Sequence, residues 1–568
     1  MTQIKYPTQR LSLRFFMLML VLFLLQVGYG LVLSIQHVDP TLLAGVLNFN
    51  VVRAEHLNLA VMWIVCGFIG AILFVGPLLS GRDWKMSPLI KLLFFALIAV
   101  VIWNAFTLPL AERGIAGWWA GQPWLQQGLE YLEPGRIAGL AVLVGFAIFA
   151  LVVLRTFPPV RDWNEIHWGL GIGACALMVV WMFGLFYVGR LDLQEYFRWF
   201  VVHYWVEGVW EVIHISLVGY LLVLMFKADV KSVGFAVFWG VTLVWLSGLI
   251  GNAHHYFWIG TPEFWQFWGS LFSALEPLPL VFCFWHIYLD AHTNRRPLDN
   301  APAFYFVLGS VVLEQIGAGI LGFSMTFALT NVWSHGTWVT PSHGHLALFG
   351  TFGMLGIAFA YYAVPIMRGV PNYDQRLGRL GFWLVLSSML GLAFSFAMGG
   401  TVQIFVYRVL GQDWFGGEVA PAMGLFKLLL PLFGMIFAIG VGVIAYDLFT
   451  LGSRVKSPLT DLTRYLEQPL HEAPRWSRPL TGFEAGLWLM TMWIFGAIIT
   501  LGLLSFNLAR VRVGGDPTLP YLLAAVGYPG LFVTTLAFVS RFLASLEERA
   551  SVRGVVPIDT SMPAAELV

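Results

Sequence analysis

The sequence predicts an all-α polytopic membrane protein. Three observations carry this. Of 568 residues, 58% are hydrophobic and only 11% charged, and the mean hydropathy is +0.77. A soluble domain has about 25% charged residues. Apolar runs of about 20 residues, the length that crosses the hydrocarbon of a bilayer, recur from end to end. Short loops between them alternate in basic content, as the two faces of a membrane protein do.

Taken in order, the apolar runs place spans near 12–34, 56–78, 88–110, 137–155, 167–188, 200–226, 232–256, 268–289, 303–328, 344–366, 379–402, 423–447, 481–507 and 520–545. The basic, then apolar start resembles a signal peptide. No small-residue cleavage site follows, so it reads as a retained first helix. Lys5, Arg10, Arg14, Arg82, Lys85, Arg155, Arg161, Arg295, Arg296, Arg368 and Arg454 fall in alternate loops, which predicts a multi-pass protein with both termini cytoplasmic. The stretch 448–480 is polar and separates the last two spans from the first twelve.

Composition also excludes. A net charge of +1 offers no basic face for nucleic acid. The three cysteines, Cys66, Cys175 and Cys283, sit inside apolar runs and read as small buried hydrophobes. No C-x-x-C-H occurs, so no c-type haem attaches to this chain.

Of the thirteen histidines, His37, His167, His214, His286, His292, His335 and His471 stand alone, in loops or at span edges, and read as structural. The other six, His56, His203, His254, His255, His343 and His345, fall at the same end of their spans once the alternation is applied. One layer of imidazoles at membrane depth marks a site. His343 and His345, in PSHGH, are about 200° apart on a helix, so each can serve a metal on its own side, for instance two haems. His56 is the natural second ligand for a six-coordinate haem. His254 and His255 are adjacent at a helix end, and His203 adds a third imidazole. Glu207, four residues on from His203, shares its face. Three imidazoles and a carboxylate make a non-haem metal site, and the hard oxygen moves the preference from copper towards iron. Glu211 and Glu276 are then nearby carboxylates able to orient ligands or pass protons.

These stretches together resemble the large catalytic subunit of bacterial nitric oxide reductases, a branch of the haem–copper oxidase superfamily. The likeness lies in FNVVRAEHLNLAVMWIVCGFIGA, LEYLEPGRIAG, VVHYWVEGVWE, SGLIGNAHHYFWIG, GSLFSALEPLPL, GAGILGF and HGTWVTPSHGH. The resemblance implies a twelve-helix haem–copper oxidase core over 1–447, a cytoplasmic polar segment at 448–480, and two additional C-terminal transmembrane helices and a tail at 481–568. It implies two haems b: His56 and His345 on a low-spin haem, His343 on a high-spin haem. It implies non-haem iron on His203, Glu207, His254 and His255, with Glu211 and Glu276 serving catalysis, and calcium on Glu130, with Glu133 assisting. The implied reaction reduces two NO to N2O and water in a bacterial inner membrane.

Oxygen-reducing relatives place a tyrosine four residues after the first metal histidine; here that position is Glu207. This favours NO over O2, with a terminal oxygen reductase or an NO dismutase as alternatives. The two extra spans depart from the cytochrome-c-dependent pattern. The short loop at 35–55 departs from the quinol-dependent one. The expected donor is a small subunit carrying haem c or a cupredoxin copper, with quinol as the other choice. Glu314, in VVLEQIGAGILGF, stands mid-span where an apolar residue is expected, and is a candidate for a proton route.

Overall fold

A computed structural model describes residues 4–115, 121, 124–125, 135–186, 188–226, 228, 230–279, 281, 285, 300–370, 373–412, 419–451, 480–511 and 516–552. Among these residues the chain is helical, without strands. Thirteen helices are long and apolar enough to cross a membrane. In chain order, with one shorter helix included, they are α1 Pro7–Gln36, α2 Phe49–Ser80, α3 Ser87–Glu112, α4 Arg136–Thr156, α5 Glu165–Phe183, α6 Leu191–Met225, α7 Val230–Tyr256, α8 Phe264–Leu275, α9 Ala301–Met325, α10 Val339–Met367, α11 Arg376–Val409, α12 Gly424–Thr450, α13 Gly482–Ala509 and α14 Thr518–Leu546.

Thirteen spans stand against fourteen expected. The difference is the span placed at 268–289: α8 covers its beginning, and most of its remainder lies outside the described residues. So do Glu130, Glu133, Cys283, His286, His292, His471 and nearly all of 448–480. One boundary moves substantially. The segment 189–199 is a loop by its polarity, yet α6 begins at Leu191. Its first turn carries Asp192, which suits the positive end of the helix dipole, and Arg190 just before the helix pairs with it at 2.6 Å. His203 is therefore well inside a helix rather than at its start.

Burial sorts the helices into a centre and a rim. Of the most apolar window, 89% is buried in α2 and α9 and 83% in α6 and α10, against 22% in α3 and 28% in α13. A lipid-facing helix stays apolar on its exposed side because no water meets it. The buried helices α2, α6 and α10 carry His56, His203, His343 and His345, so candidate ligands ride on the elements held most firmly. α13 and α14 pack on each other. They also pack directly on the core, where Gly496 leaves space for Ile320 of α9.

Four stretches open into wider π turns: Tyr204–Trp210, Gln315–Leu321, Leu346–Gly353 and Ile404–Val409. Such turns shift the backbone register and concentrate at functional sites. The first follows His203 and the third follows His345. The second packs against the third at Gly317, where a Cβ would stand 2.6 Å from that of Leu346. Only glycine permits that approach.

Candidate metal centre

His203 ends the first α-helical stretch of α6, and Glu207 lies in the π turn that follows it. His203 Nε2 is 3.0 Å from the Gly248 carbonyl oxygen. A carbonyl only accepts, so Nε2 holds the proton and Nδ1 of the neutral ring is a bare lone pair. Nδ1 faces a Glu207 carboxylate oxygen at 3.3 Å and has no hydrogen-bond partner although it is buried. Two acceptors turned on each other repel. A cation between them, proton or metal, removes the conflict.

α7 tightens into a 3-10 turn at Asn252–Tyr256, which presents His254 and His255 together, their rings 4.1 Å apart and 42° from parallel. His254 Nδ1 lies 2.5 Å from Ser273 Oγ. Ser273 donates its own proton to the Gly251 carbonyl at 3.1 Å, so it accepts from His254 Nδ1–H. That leaves His254 Nε2 bare, the ligand tautomer set by its outer partner. His255 is oriented differently, stacked on Trp199 at 4.5 Å and 6°. The His203 ring is 4.8 Å from that of His254 and 5.1 Å from that of His255.

One ligand atom from each of His203, Glu207, His254 and His255 lies within 4.8 Å of all the others. Metal–ligand bonds of about 2 Å hold ligand atoms about 3–4 Å apart, so modest closure suffices. A bare Nδ1, a bare Nε2 and a carboxylate from part-buried to buried residues, brought this close together, fit a metal ion.

Glu276 sits at the end of α8 with its carboxyl oxygen 3.7 Å from His203 Nε2. It fills the space a Cβ on Gly251 would take. Glu211 opens the α-helical stretch after the π turn, is buried, and has Glu207 and Glu314 as acidic neighbours. Glu130 lies outside the described residues.

The remaining histidines form a second grouping. His56 and His345 face each other with ring centres 6.2 Å apart. Two metal–nitrogen bonds of about 2 Å, plus about 1 Å from each ring nitrogen to its centre, sum to about 6 Å. The spacing therefore fits one iron held from both sides. His56 Nδ1 donates to the Gln26 carbonyl at 3.0 Å and His345 Nδ1 to the Pro341 carbonyl at 2.8 Å. Both leave Nε2 for a metal. The Gln26 side-chain amide stands 3.1 Å from His56 Nε2 and must swing aside when a metal binds there. His343 points the other way: its Nδ1 donates at 2.8 Å to the carbonyl of Gly317, in the π turn of α9, and it lies within electrostatic range of His254 and His255. The opposite facing of His343 and His345 is what a two-residue step on a helix requires.

Sequence reasoning does not reach the groups that set these tautomers. Gly248, Gly251 and Gly317 act through carbonyls, which carry no residue signal. Ser273, three residues before Glu276 in GSLFSALEP, is the one that a hydroxyl so close to a candidate carboxylate could have flagged. His214, structural by its isolation in the sequence, is more tightly engaged than that.

The fold and the residues together define a haem-binding membrane oxidoreductase. The chain belongs to the family described as cytochrome c and quinol oxidase polypeptide I, whose model matches residues 10–429, and so to the haem–copper oxidase superfamily. Within it, the chain is similar to a nitric oxide reductase subunit of Stutzerimonas stutzeri, 30% identical over 453 residues that make up 78% of this chain and 95% of that protein. This agrees with the family resemblance carried by the histidine motifs. A solved haem–copper terminal oxidase, described as a dimer in a cryo-EM study, aligns with a TM-score of 0.61 at 15% identity over 92% of this chain and 99% of that one. At that identity the likeness concerns the fold alone. The family match ends inside α12, so α13 and α14 lie beyond it.

Proposed function

We propose that the chain is the catalytic subunit of a nitric oxide reductase: 2 NO + 2 electrons + 2 protons give N2O and water. The observation that carries this reading is Glu207, a carboxylate facing His203 Nδ1 where an oxygen reductase of this superfamily keeps a tyrosine. The similarity to the Stutzerimonas nitric oxide reductase subunit supports it. His203, Glu207, His254 and His255 would hold a non-haem iron, His343 a high-spin haem b, and His56 with His345 a low-spin haem b. When bound, these groups supply electron transfer and NO binding. Calcium on Glu130 is carried over from the resemblance.

The protein's own part is orientation, exclusion of water and proton supply. Gly248 and Ser273 fix the protons of His203 and His254, keeping a lone pair on each aimed inward. Val209 and Trp210, which follow Glu207 in the π turn, are fully buried, and a low-dielectric surround of that kind strengthens electrostatic contacts. Glu211, buried, and Glu276, part-buried, both lie within electrostatic range of Glu207 and can hold and pass protons. Electrons enter at the low-spin haem from a small subunit carrying haem c or a cupredoxin copper, or from quinol. The protein lies in a bacterial inner membrane with both termini cytoplasmic.

The test is anaerobic turnover of the haem-loaded protein with a chemical reductant, following NO loss and gas products. One N2O for each two NO consumed supports the reading. Oxygen uptake without NO turnover would instead make it an oxygen reductase, and release of N2 with O2 a dismutase.

A further inference from the structure

Apart from the candidate ligands, one buried pair joins α6 to α9. His214 and Glu314 are both fully buried, with His214 Nδ1 3.2 Å from a Glu314 carboxyl oxygen. The far side of the imidazole fixes its protons. Ser310 Oγ donates its one proton to the Thr351 carbonyl at 2.5 Å. At its 2.8 Å contact with His214 Nε2 it can therefore only accept. Nε2 carries a proton, and Nδ1 of the neutral ring is a lone pair aimed at Glu314. The contact is stable only with one further proton, either on the carboxyl or on Nδ1, and that proton can shift between them with little movement.

The surroundings are not those of a satisfied structural pair. Both Glu314 carboxyl oxygens, both polar atoms of the neighbouring Gln315 and the Thr351 hydroxyl are buried without a hydrogen-bond partner; the His214–Glu314 contact is in ion-pair range but poorly aligned as a hydrogen bond. An ionisable group kept this way at membrane depth is by default functional.

Position gives the direction. His214 lies eleven residues beyond His203 on α6, about 16 Å along the axis at 1.5 Å per residue. Glu211, between them in sequence, lies within electrostatic range of both Glu207 and Glu314. On α9, Glu314 comes before Gly317, the residue that holds His343, so it too sits deeper than the histidine layer. Further along α6, Tyr220 comes within electrostatic range of Tyr362 and of Tyr6, near the chain's start.

We propose that His214 and Glu314 form a proton-loading station that supplies Glu211 from the membrane face opposite the histidine layer. This rests on the proton-consuming reaction proposed above. One proton leaves the pair for Glu211 and one is taken up again at the vacated site, the Glu314 carboxylate or His214 Nδ1, from the opposite face, so the pair regains its charge. Two such cycles supply the two protons consumed per N2O.

The experiment compares haem-loaded wild type with Glu314→Gln, Glu314→Asp and His214→Gln. Reduced-minus-oxidised infrared difference spectra are recorded in H2O and D2O, together with NO turnover, haem spectra and iron content. The expected result is a protonated-carboxyl band that shifts in D2O and is absent from Glu314→Gln. Turnover in Glu314→Gln should fall by about tenfold or more with haem and iron unchanged, and Glu314→Asp should recover part of it. Persistence of the band in Glu314→Gln, or turnover within about twofold of wild type, overturns the proposal. So does loss of haem from both Glu314→Gln and His214→Gln, which assigns the pair to folding. The infrared band does not depend on NO, so failure of the wild type to reduce NO counts against the proposed function and not against the relay.

Discussion

His203 Nδ1 and the Glu207 carboxylate face each other at 3.3 Å, and the proton that could reconcile them is held on the other ring nitrogen by the Gly248 carbonyl. The arrangement is unfavourable until a cation arrives. Glu207→Gln replaces one acceptor by an amide that can donate to Nδ1. The metal-free variant should therefore be more stable than metal-free wild type, by about 1 kcal/mol for one hydrogen bond, while binding iron less well. Thermal unfolding after chelation, with and without added Fe(II), measures both.

The Ser273 hydroxyl meets the site at His254 Nδ1. Ser273→Ala removes the acceptor that fixes the His254 tautomer. Loss of such an outer partner typically costs about 10–100-fold in metal affinity or activity. Iron titration of Ser273→Ala should show a loss in that range with haem spectra unchanged. An affinity equal to wild type removes Ser273 from the site.

Removing the metal should cost stability. A ligand that binds only the folded state stabilises it by about 4 kcal/mol when present at about a thousand times its dissociation constant. Chelation of the iron should lower the unfolding temperature, and Fe(II) should restore it. The same treatment of His254→Ala should produce little shift.

The His56–His345 pair predicts a separable defect. His345→Ala should lose the low-spin haem signal while the four candidate ligands of the metal cluster keep their iron. Simultaneous loss of both centres would mean that the two groupings depend on each other for folding.

Gly317 tests the π turns. A Cβ there would meet Leu346 and the backbone of Ala347 at 2.6–2.9 Å. Gly317→Ala forces α9 from α10 and moves the carbonyl that holds His343. Reduced haem content at the high-spin site is expected, read by the optical spectrum of the purified protein.

Much of this is legible in the sequence because membrane depth makes polarity conspicuous. Apolar runs mark the spans, and alternation of basic loops puts six histidines in one layer. The two-residue step from His343 to His345 forces them to opposite sides, as found. Three things escape. The start of α6 reads as loop because Asp192, Gln194, Glu195 and Arg198 make the segment polar; Glu195 and Arg198 are in fact buried and paired at 3.4 Å. The π turns are invisible, since they change register without changing composition. His214 reads as a lone histidine, because its partners come from α9 and no local pattern links positions 214, 310 and 314.

The most direct measurement is iron and haem quantification on purified wild type and Glu207→Ala, with Mössbauer spectra of both. Wild type should hold one iron beyond the haem iron, magnetically coupled to a haem, and Glu207→Ala should lose it with both haems retained. Copper in place of that iron, or an unchanged iron content in Glu207→Ala, would contradict the assignment of His203, Glu207, His254 and His255 as an iron site.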